Sequence, residues 1–317
     1  VAPHRPRIAL IRAEVPHTTA WYYLRAFRRL GVDLVDLPFR PGKKPEWKSM
    51  PGADLALLID CGLPVDFPAL ERFGGAKGFV SIDSCHKLPM HHTLCDRYSF
   101  DFIWVAQKHV AKDLGSNARW LPLAAEPETH ACRPGMAGGP FLDRLLRRSH
   151  YDIAMCGAPY GHRRRFEKLF RRAGLSARFL FRKRFGLDAT RELARATIGF
   201  NAGAGFDGKR GMDMNMRVFE TMANGQCMLL TNTYEGLGYE DLFTEGRHYI
   251  GFRTEAEAVQ KALYYASRPE EAIAIAREGQ RRVLQNHTYV HRCGEILSSF
   301  LEGRKVDLHA EAERERA

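Results

Sequence analysis

The chain has 317 residues, of which 45% are hydrophobic and 27% charged. That is apolar enough for two ordinary domains, each with its own core, and it excludes an intrinsically disordered chain. Forty-eight Lys and Arg against 37 Asp and Glu leave a formal charge of +11, and seven scattered cysteines do not describe a disulfide scaffold. A reducing, cytoplasmic compartment is the expectation.

Short apolar segments alternate with helical patterns from the beginning. Strands are predicted over residues 7–12, 32–37, 54–59, 78–82, 102–105 and 119–123, with a helix over 18–30. Short strands separated by helix-length connections favour a parallel sheet covered on both faces. A turn-rich stretch then runs from Glu126 through Pro134-Gly135 and Gly138-Gly139-Pro140, with one short helical pattern over 141–148.

The alternation restarts with a strand over 151–155, a helix over 163–173 and a strand over 177–181. A helix over 187–196, a strand over 197–200, a helix over 215–223 and a strand over 227–231 follow. Helices over 254–267, 270–286 and 289–301 close the chain, before a polar tail expected to fray. The fold class is therefore α/β, with two Rossmann-like domains whose parallel sheets face a central cleft. The expected divisions are 1–125, a linker with a helix over 126–149, a second domain over 150–288, and a helix over 289–317 packing back on the first. No apolar run reaches the ~18 residues of a membrane span, and the amino end lacks the apolar stretch of a signal peptide. The oligomeric state is not legible.

Charge is unevenly placed. Residues 144–184 hold 13 Lys or Arg against Asp152 and Glu167 alone, an excess as large as that of the whole chain. Such a field suits a phosphorylated ligand, a nucleic acid or an anionic lipid surface, or it is a solvated helix face.

The most informative stretch runs from Ile198 to Gly236: strand, glycine-containing loop, helix, glycine break, strand and polar loop. Gly203 and Gly205 allow close backbone approach, and the helix beginning near Asn215 offers free N–H groups to a phosphate. Arg217 and Glu220 are three residues apart and share a helical face. A carboxylate there can accept two sugar hydroxyls, or it can simply pair with Arg217. Asn201 ends the preceding strand, as a cleft residue or a turn cap.

A second phosphate candidate follows the strand over 151–155, where Gly157-Ala158-Pro159-Tyr160-Gly161 turns into His162, Arg163, Arg164 and Arg165. Arginine bonds phosphate in pairs and neutralises a departing diphosphate. Adjacent helix positions point about 100° apart, so Arg163 and Arg164 face different ways, and the alternative is that both make solvent contacts or ordinary helix-surface pairs. Arg182, Lys183 and Arg184 form a further strand-end cluster.

The run Asp213-Met214-Asn215-Met216-Arg217-Val218-Phe219-Glu220, then Met222-Ala223-Asn224-Gly225, resembles the donor-binding core of GT-B glycosyltransferases, especially CgeB-like proteins. Gly236, residues 240–246, residues 276–284 and His287-Thr288-Tyr289 fit the same group, so the likeness covers most of residues 150–300. Ile82-Asp83, Ala106-Gln107 and residues 120–124 extend it weakly into the amino half. The resemblance implies a GT-B-like fold, a nucleotide-diphosphate sugar as donor substrate, no separate cofactor and no essential metal. It gives Glu220 a ribose contact, gives Arg163 or Arg164 a diphosphate contact, and makes the first domain the acceptor domain. Related retaining enzymes carry a further glutamate eight residues before Glu220; Met212 stands there, so retention and inversion both remain open.

In the amino half, Asp83-Ser84-Cys85-His86 follows a predicted strand. An acceptor hydroxyl needs a proton acceptor as the new C–O bond forms, and Asp83 or His86 suits that task. Cys85, His86, His91, His92 and Cys95 have metal-ligand chemistry without a close zinc spacing, so no metal site is read. Gln107 is an expected acceptor contact, and Trp104 an expected core residue. No G-x-G-x-x-G follows the first strand, which argues against a dinucleotide enzyme. The expected reaction moves a sugar to a hydroxyl-bearing acceptor: a modified DNA base, a peptide or a cell-surface component. The alternative is a catalytically silent protein that binds a sugar nucleotide or nucleic acid.

Overall fold

The computed structural model describes residues 6–43, 45, 47–132, 150–181, 186–203, 206 and 213–314, the last eleven of these as backbone only. The expected helix over 141–148, the breakers at 134–140, the cluster of Arg182, Lys183 and Arg184, and Gly205 and Met212 lie outside the described residues. The chain divides into two compact units, residues 1–122 with 289–317, and residues 123–288.

The first unit is built on six parallel strands: β1 (Arg7–Ala13), β2 (Asp33–Phe39), β3 (Leu55–Ile59), β4 (Ala76–Ser81), β5 (Phe102–Val105) and β6 (Ala118–Trp120). Their spatial order is β2-β1-β3-β4-β5-β6. Ile8 to Ile11 and Leu55 to Ile59 are buried along their whole length, as the continuous apolar runs require. Helix α1 (Thr19–Arg29) follows β1, and α2 (Pro68–Glu71) follows β3. Phe39, Phe67, Phe79 and Phe100 pack on one face, Phe79 stacking on Phe100 at 5.1 Å. Trp104 is buried and stacks on Phe102 at 5.7 Å.

Helix α3 (Ser84–Tyr98) was not legible in the sequence because Pro89 interrupts it. Lys87 leaves helical geometry (φ −130°, ψ 20°), so Pro89 falls in the first turn of a restarted helix, where its missing N–H has no intrahelical partner to lose. Residues Lys108–Leu114 form a 3₁₀ helix after β5.

The second unit holds β7 (Tyr151–Cys156), β8 (Ala177–Leu180), β9 (Ala196–Asn201), β10 (Met228–Asn232) and β11 (Ile250–Phe252). All are parallel, in the order β11-β10-β9-β7-β8. Its helices are α4 (Pro127–His130), α5 (Gly161–Arg172), α6 (Leu187–Leu193), α7 (Met216–Asn224), α8 (Tyr239–Leu242), α9 (Glu255–Ala266) and α10 (Pro269–Asn286). Phe166, Phe170, Phe200 and Phe252 centre the core; Phe200 stacks on Phe252 at 5.5 Å. A Cβ on Gly199 would run into the Thr221 methyl and lie 2.9 Å from Cys227 Sγ, so this glycine lets α7 lie close on the sheet.

Each sheet reverses its winding beside its first strand, between β1 and β3 and between β7 and β9. Open α/β sheets bind ligands outside the carboxyl ends of strands at such switch points.

The chain changes unit between Pro122 and Leu123, slightly before the expected boundary, because the Ala125 N–H already bonds His287 O at 3.0 Å. The last helix, α11 (Tyr289–Arg314), belongs to the first unit, where Tyr289 packs on Tyr22 and Tyr23 at 5.3 and 5.2 Å. It continues to Arg314 through the polar tail that the sequence suggested would fray; Glu, Ala, Arg and Leu are all strong helix formers.

Candidate functional site

In the second unit the site grows from the carboxyl ends of β7 and β9. Tyr160 leads into α5, and the second residue of that helix's first turn is followed by Arg163, only 5% exposed. Its Nε donates to Ala202 O at 2.8 Å and its Nη1 to Ala158 O at 3.3 Å, tying together the loops that leave β7 and β9. The guanidinium also lies 4.7 Å over the Tyr160 ring. Burial brings its pKa down to about 10; Tyr160 and Asp213 oppose that shift and Arg217 adds to it. Among the described residues it makes no direct ion pair; the Asp213 carboxylate acts on it from nearby.

Arg164 points elsewhere. It is exposed and stacks over Phe181 at 4.9 Å. Much of the remaining basic segment is neutralised locally, Arg165 by Glu255, Arg171 by Glu167 at 3.1 Å and Arg178 by Glu192 at 3.8 Å. Lys168 and Arg172 are exposed on the same helix.

The loop after β9 and the start of α7 complete this region. Asn201 is buried, and its Nδ2 donates to Thr231 Oγ1 at 3.0 Å, a tie between adjacent strands. The Gly203 N–H donates to Asn232 Oδ1 at 2.7 Å, and a Cβ at Gly203 would lie 2.6 Å from Asp213 Oδ1. Asn215 caps α7, its side-chain oxygen accepting the Arg217 N–H at 3.0 Å. Gly225, at φ 71°, ends the helix in the left-handed conformation.

Glu220 is 5% exposed and held on both sides. One oxygen pairs with Arg217 Nη1, and Oε1 lies 3.2 Å from His130 Nε2. His130, at the end of α4, is 3% exposed, and its Nδ1 accepts the Glu126 N–H at 3.0 Å. A ring nitrogen that accepts carries no proton, so the proton sits on Nε2 and is donated to Glu220. Burial alone would raise the Glu220 pKa, but Arg217 and His130 outweigh it and bring it down to about 2. The carboxylate is thus ionised and fixed in orientation, and each oxygen retains acceptor capacity.

The structure therefore gathers Arg163, Gly203, Asp213, Asn215, Arg217 and Glu220 in one unit, and leaves Arg164 on the outer face. His130 was missed: nothing in the local pattern Glu126-Pro127-Glu128-Thr129-His130 links it to a helix so distant in sequence.

In the first unit a cavity of about 280 Å³ opens at the β1/β3 switch point. Thr18, Asp60, Cys61, Gly62 and Asp83 line it, with Thr19 at the start of α1. Asp83, exposed at the start of α3, is the sequence candidate that reaches this cavity; His86 is half-buried and outside its lining. Gln107 does not contact the cavity. It is 3% exposed, and its amide is used on the Ser84 N–H and on Ile82 O at 2.9 and 2.6 Å. Among the described residues no group of three or more His, Cys, Asp or Glu is arranged to hold a metal ion, and no helix is long and apolar enough to cross a membrane.

The family model for glycosyl transferase-like proteins matches residues 139–298, just over half of the chain and nearly all of the second unit. The chain belongs to the glycosyl transferase-like family. Solved structures agree on the fold. Sucrose-phosphate synthase from Thermosynechococcus elongatus superposes with a TM-score of 0.63 at 9% identity, covering 95% of this chain and 100% of that one. AviGT4, a glycosyltransferase of avilamycin A biosynthesis, gives 0.57 at 13% identity over 93% and 97% of the two chains. Anabaena HepE, solved in complex with UDP and glucose, gives 0.56 at 9% identity over 94% and 100%. No curated protein matches the sequence. The glycosyltransferase thus has the GT-B architecture of two parallel-sheet, Rossmann-like units.

Proposed function

We propose that this glycosyltransferase moves a sugar from a nucleotide-diphosphate donor to a hydroxyl-bearing acceptor, with the donor held by the second unit and the acceptor by the first. The observation that carries the reading is the buried, ionised Glu220, braced by Arg217 and His130, in the same unit as a buried Arg163 guanidinium that makes no direct ion pair among the described residues. A fixed carboxylate suits the paired hydroxyls of a ribose, and a guanidinium held at the strand ends suits a diphosphate. That HepE was solved with UDP, and separately with UDP-glucose, makes uridine nucleotides the first donors to try. The order of residues 213–225 supports placement among CgeB-like proteins.

In this reading the acceptor hydroxyl attacks the anomeric carbon, the bond from that carbon to the diphosphate oxygen breaks, and a new C–O bond forms. The hydroxyl proton passes to Asp83, the exposed carboxylate of the first-unit cavity. Arg163 and the N–H groups at the start of α7 meet the charge growing on the diphosphate. No metal is needed for that stabilisation, so activity should survive a chelator.

The test is a screen of nucleotide sugars by protection against thermal unfolding, followed by product mass with acceptors from three classes: simple glycosides, peptides and hydroxymethylated duplex DNA. Protection by a nucleotide that is lost in Glu220→Gln supports the reading. Wild-type protein that no nucleotide protects, or that binds a donor and never turns it over, overturns the transfer reaction.

A further inference from the structure

A buried polar network lies against the first-unit cavity. Asp60 leaves the end of β3 with its side chain 1% exposed. Its Oδ1 accepts the Gly62 N–H at 2.7 Å, and its Oδ2 accepts the N–H groups of Ile82 and Asp83, each at 3.2 Å. The same oxygen lies 3.0 Å from Nε2 of His91, a fully buried residue of α3. His91 Nδ1 lies 2.8 Å from Ser81 Oγ, which in turn bonds Ser84 Oγ. With the imidazole proton on Nε2, the hydroxyl donors run from Ser84 through Ser81 to His91 Nδ1, and the protonated Nε2 side of the ring faces the Asp60 carboxylate. From the other side Gln107, just beyond β5, clamps the Ser84 N–H and Ile82 O.

Residues 82–84 are therefore fixed from β3, from α3 and from the loop after β5. Core stability alone does not require this arrangement, since well-packed apolar side chains usually stabilise as well as a buried ionic group does. What apolar side chains cannot do is fix the N–H groups of Gly62, Ile82 and Asp83. Those groups belong to two strand-end loops, and both loops line the cavity. Burial raises the Asp60 pKa, and the bonds from His91, Gly62 and Asp83 more than reverse it, so the anchor is a carboxylate.

We propose that Asp60, His91 and Gln107 are positioning residues of the acceptor cavity, holding the Ile82–Ser84 backbone so that the Asp83 carboxylate faces the acceptor hydroxyl. This rests on the reading of the cavity as the acceptor site. His91 and Gln107 lie outside the cavity lining and Asp60 meets it; each acts through the turn that carries Asp83.

The experiment compares wild type, Asp60→Asn, His91→Gln and Asp83→Ala. Three readouts are needed: amide hydrogen exchange across residues 60–63 and 81–86, thermal protection by UDP, and turnover of UDP-glucose with water or methyl β-glucoside as acceptor. Asp60→Asn and His91→Gln are expected to exchange at least tenfold faster in those two segments only. UDP protection should be unchanged, and turnover with the glucoside should fall about tenfold or more, through KM for the glucoside as well as kcat. If either variant fails to fold, Gln107→Ala carries the same expectation. Unchanged exchange in the two segments overturns the inference, and so does faster exchange with full turnover. A different failure marks the underlying reading: if Asp83→Ala keeps wild-type turnover, the cavity is not the acceptor site, and both ideas fall together.

Discussion

His130 Nε2 lies 3.2 Å from Glu220 Oε1, and the Glu126 N–H entering His130 Nδ1 at 3.0 Å fixes which nitrogen does the donating. The Glu220 carboxylate is thus oriented by a short helix that follows directly on the crossing between units. His130→Ala leaves a buried carboxylate oxygen without its donor, a loss of roughly 1–3 kcal/mol. The variant should melt earlier and bind UDP about tenfold more weakly by calorimetry, and His130→Gln, which can present an N–H in the same direction, should recover part of both.

Acid should expose the same pair. The Glu220 pKa falls from an ordinary 4.5 to about 2 on folding. A depressed carboxylate contributes stability that is full above about pH 4.5 and fades as pH falls toward 2, on the order of 3 kcal/mol at most. Melting temperatures measured between pH 7 and 3 should therefore drop less steeply in Glu220→Gln than in wild type, from a lower starting point. Parallel curves would show that Glu220 is not the titrating group.

Neighbouring arginines offer an internal control. Arg163 donates to Ala202 O and Ala158 O inside the crevice, whereas Arg164 covers the Phe181 ring on the outside. Arg163→Lys keeps the charge and loses the fork, and should weaken UDP protection at least tenfold. Arg164→Ala should leave it within twofold. Equal losses in the two variants would place the diphosphate somewhere other than the β7/β9 switch point.

Packing gives a prediction independent of ligand. A methyl group at Gly199 would meet the Thr221 methyl and approach Cys227 Sγ to 2.9 Å. Gly199→Ala should force α7 off the sheet at a cost of about 1–3 kcal/mol, as overpacking generally does. Because α7 carries Arg217 and Glu220, UDP protection should weaken together with the melting temperature, whereas Thr221→Ser combined with Gly199→Ala should restore much of both.

All the described strands but β11 were legible, because a strand buried on both faces must be a short apolar run, and Leu55 to Ile59 or Ile198 to Phe200 can be little else. Arg217 and Glu220 were legible for a related reason, since partners three apart on a helix meet whatever surrounds them. The short strand β11 and the kinked helix α3 were not, because three residues carry too little periodicity and Pro89 reads as a breaker.

The linear order of residues thus determined the two α/β halves, the glycine-framed loops and the local Arg217–Glu220 pair, all of which depend on neighbours within a few positions. Only the folded chain decided that Arg163 turns inward and Arg164 outward, that Gln107 clamps a turn, and that His130 and Asp60 hold distant groups in place. Those outcomes depend on which strand ends the sheet order brings side by side, and strand order is set by packing between segments far apart in the chain.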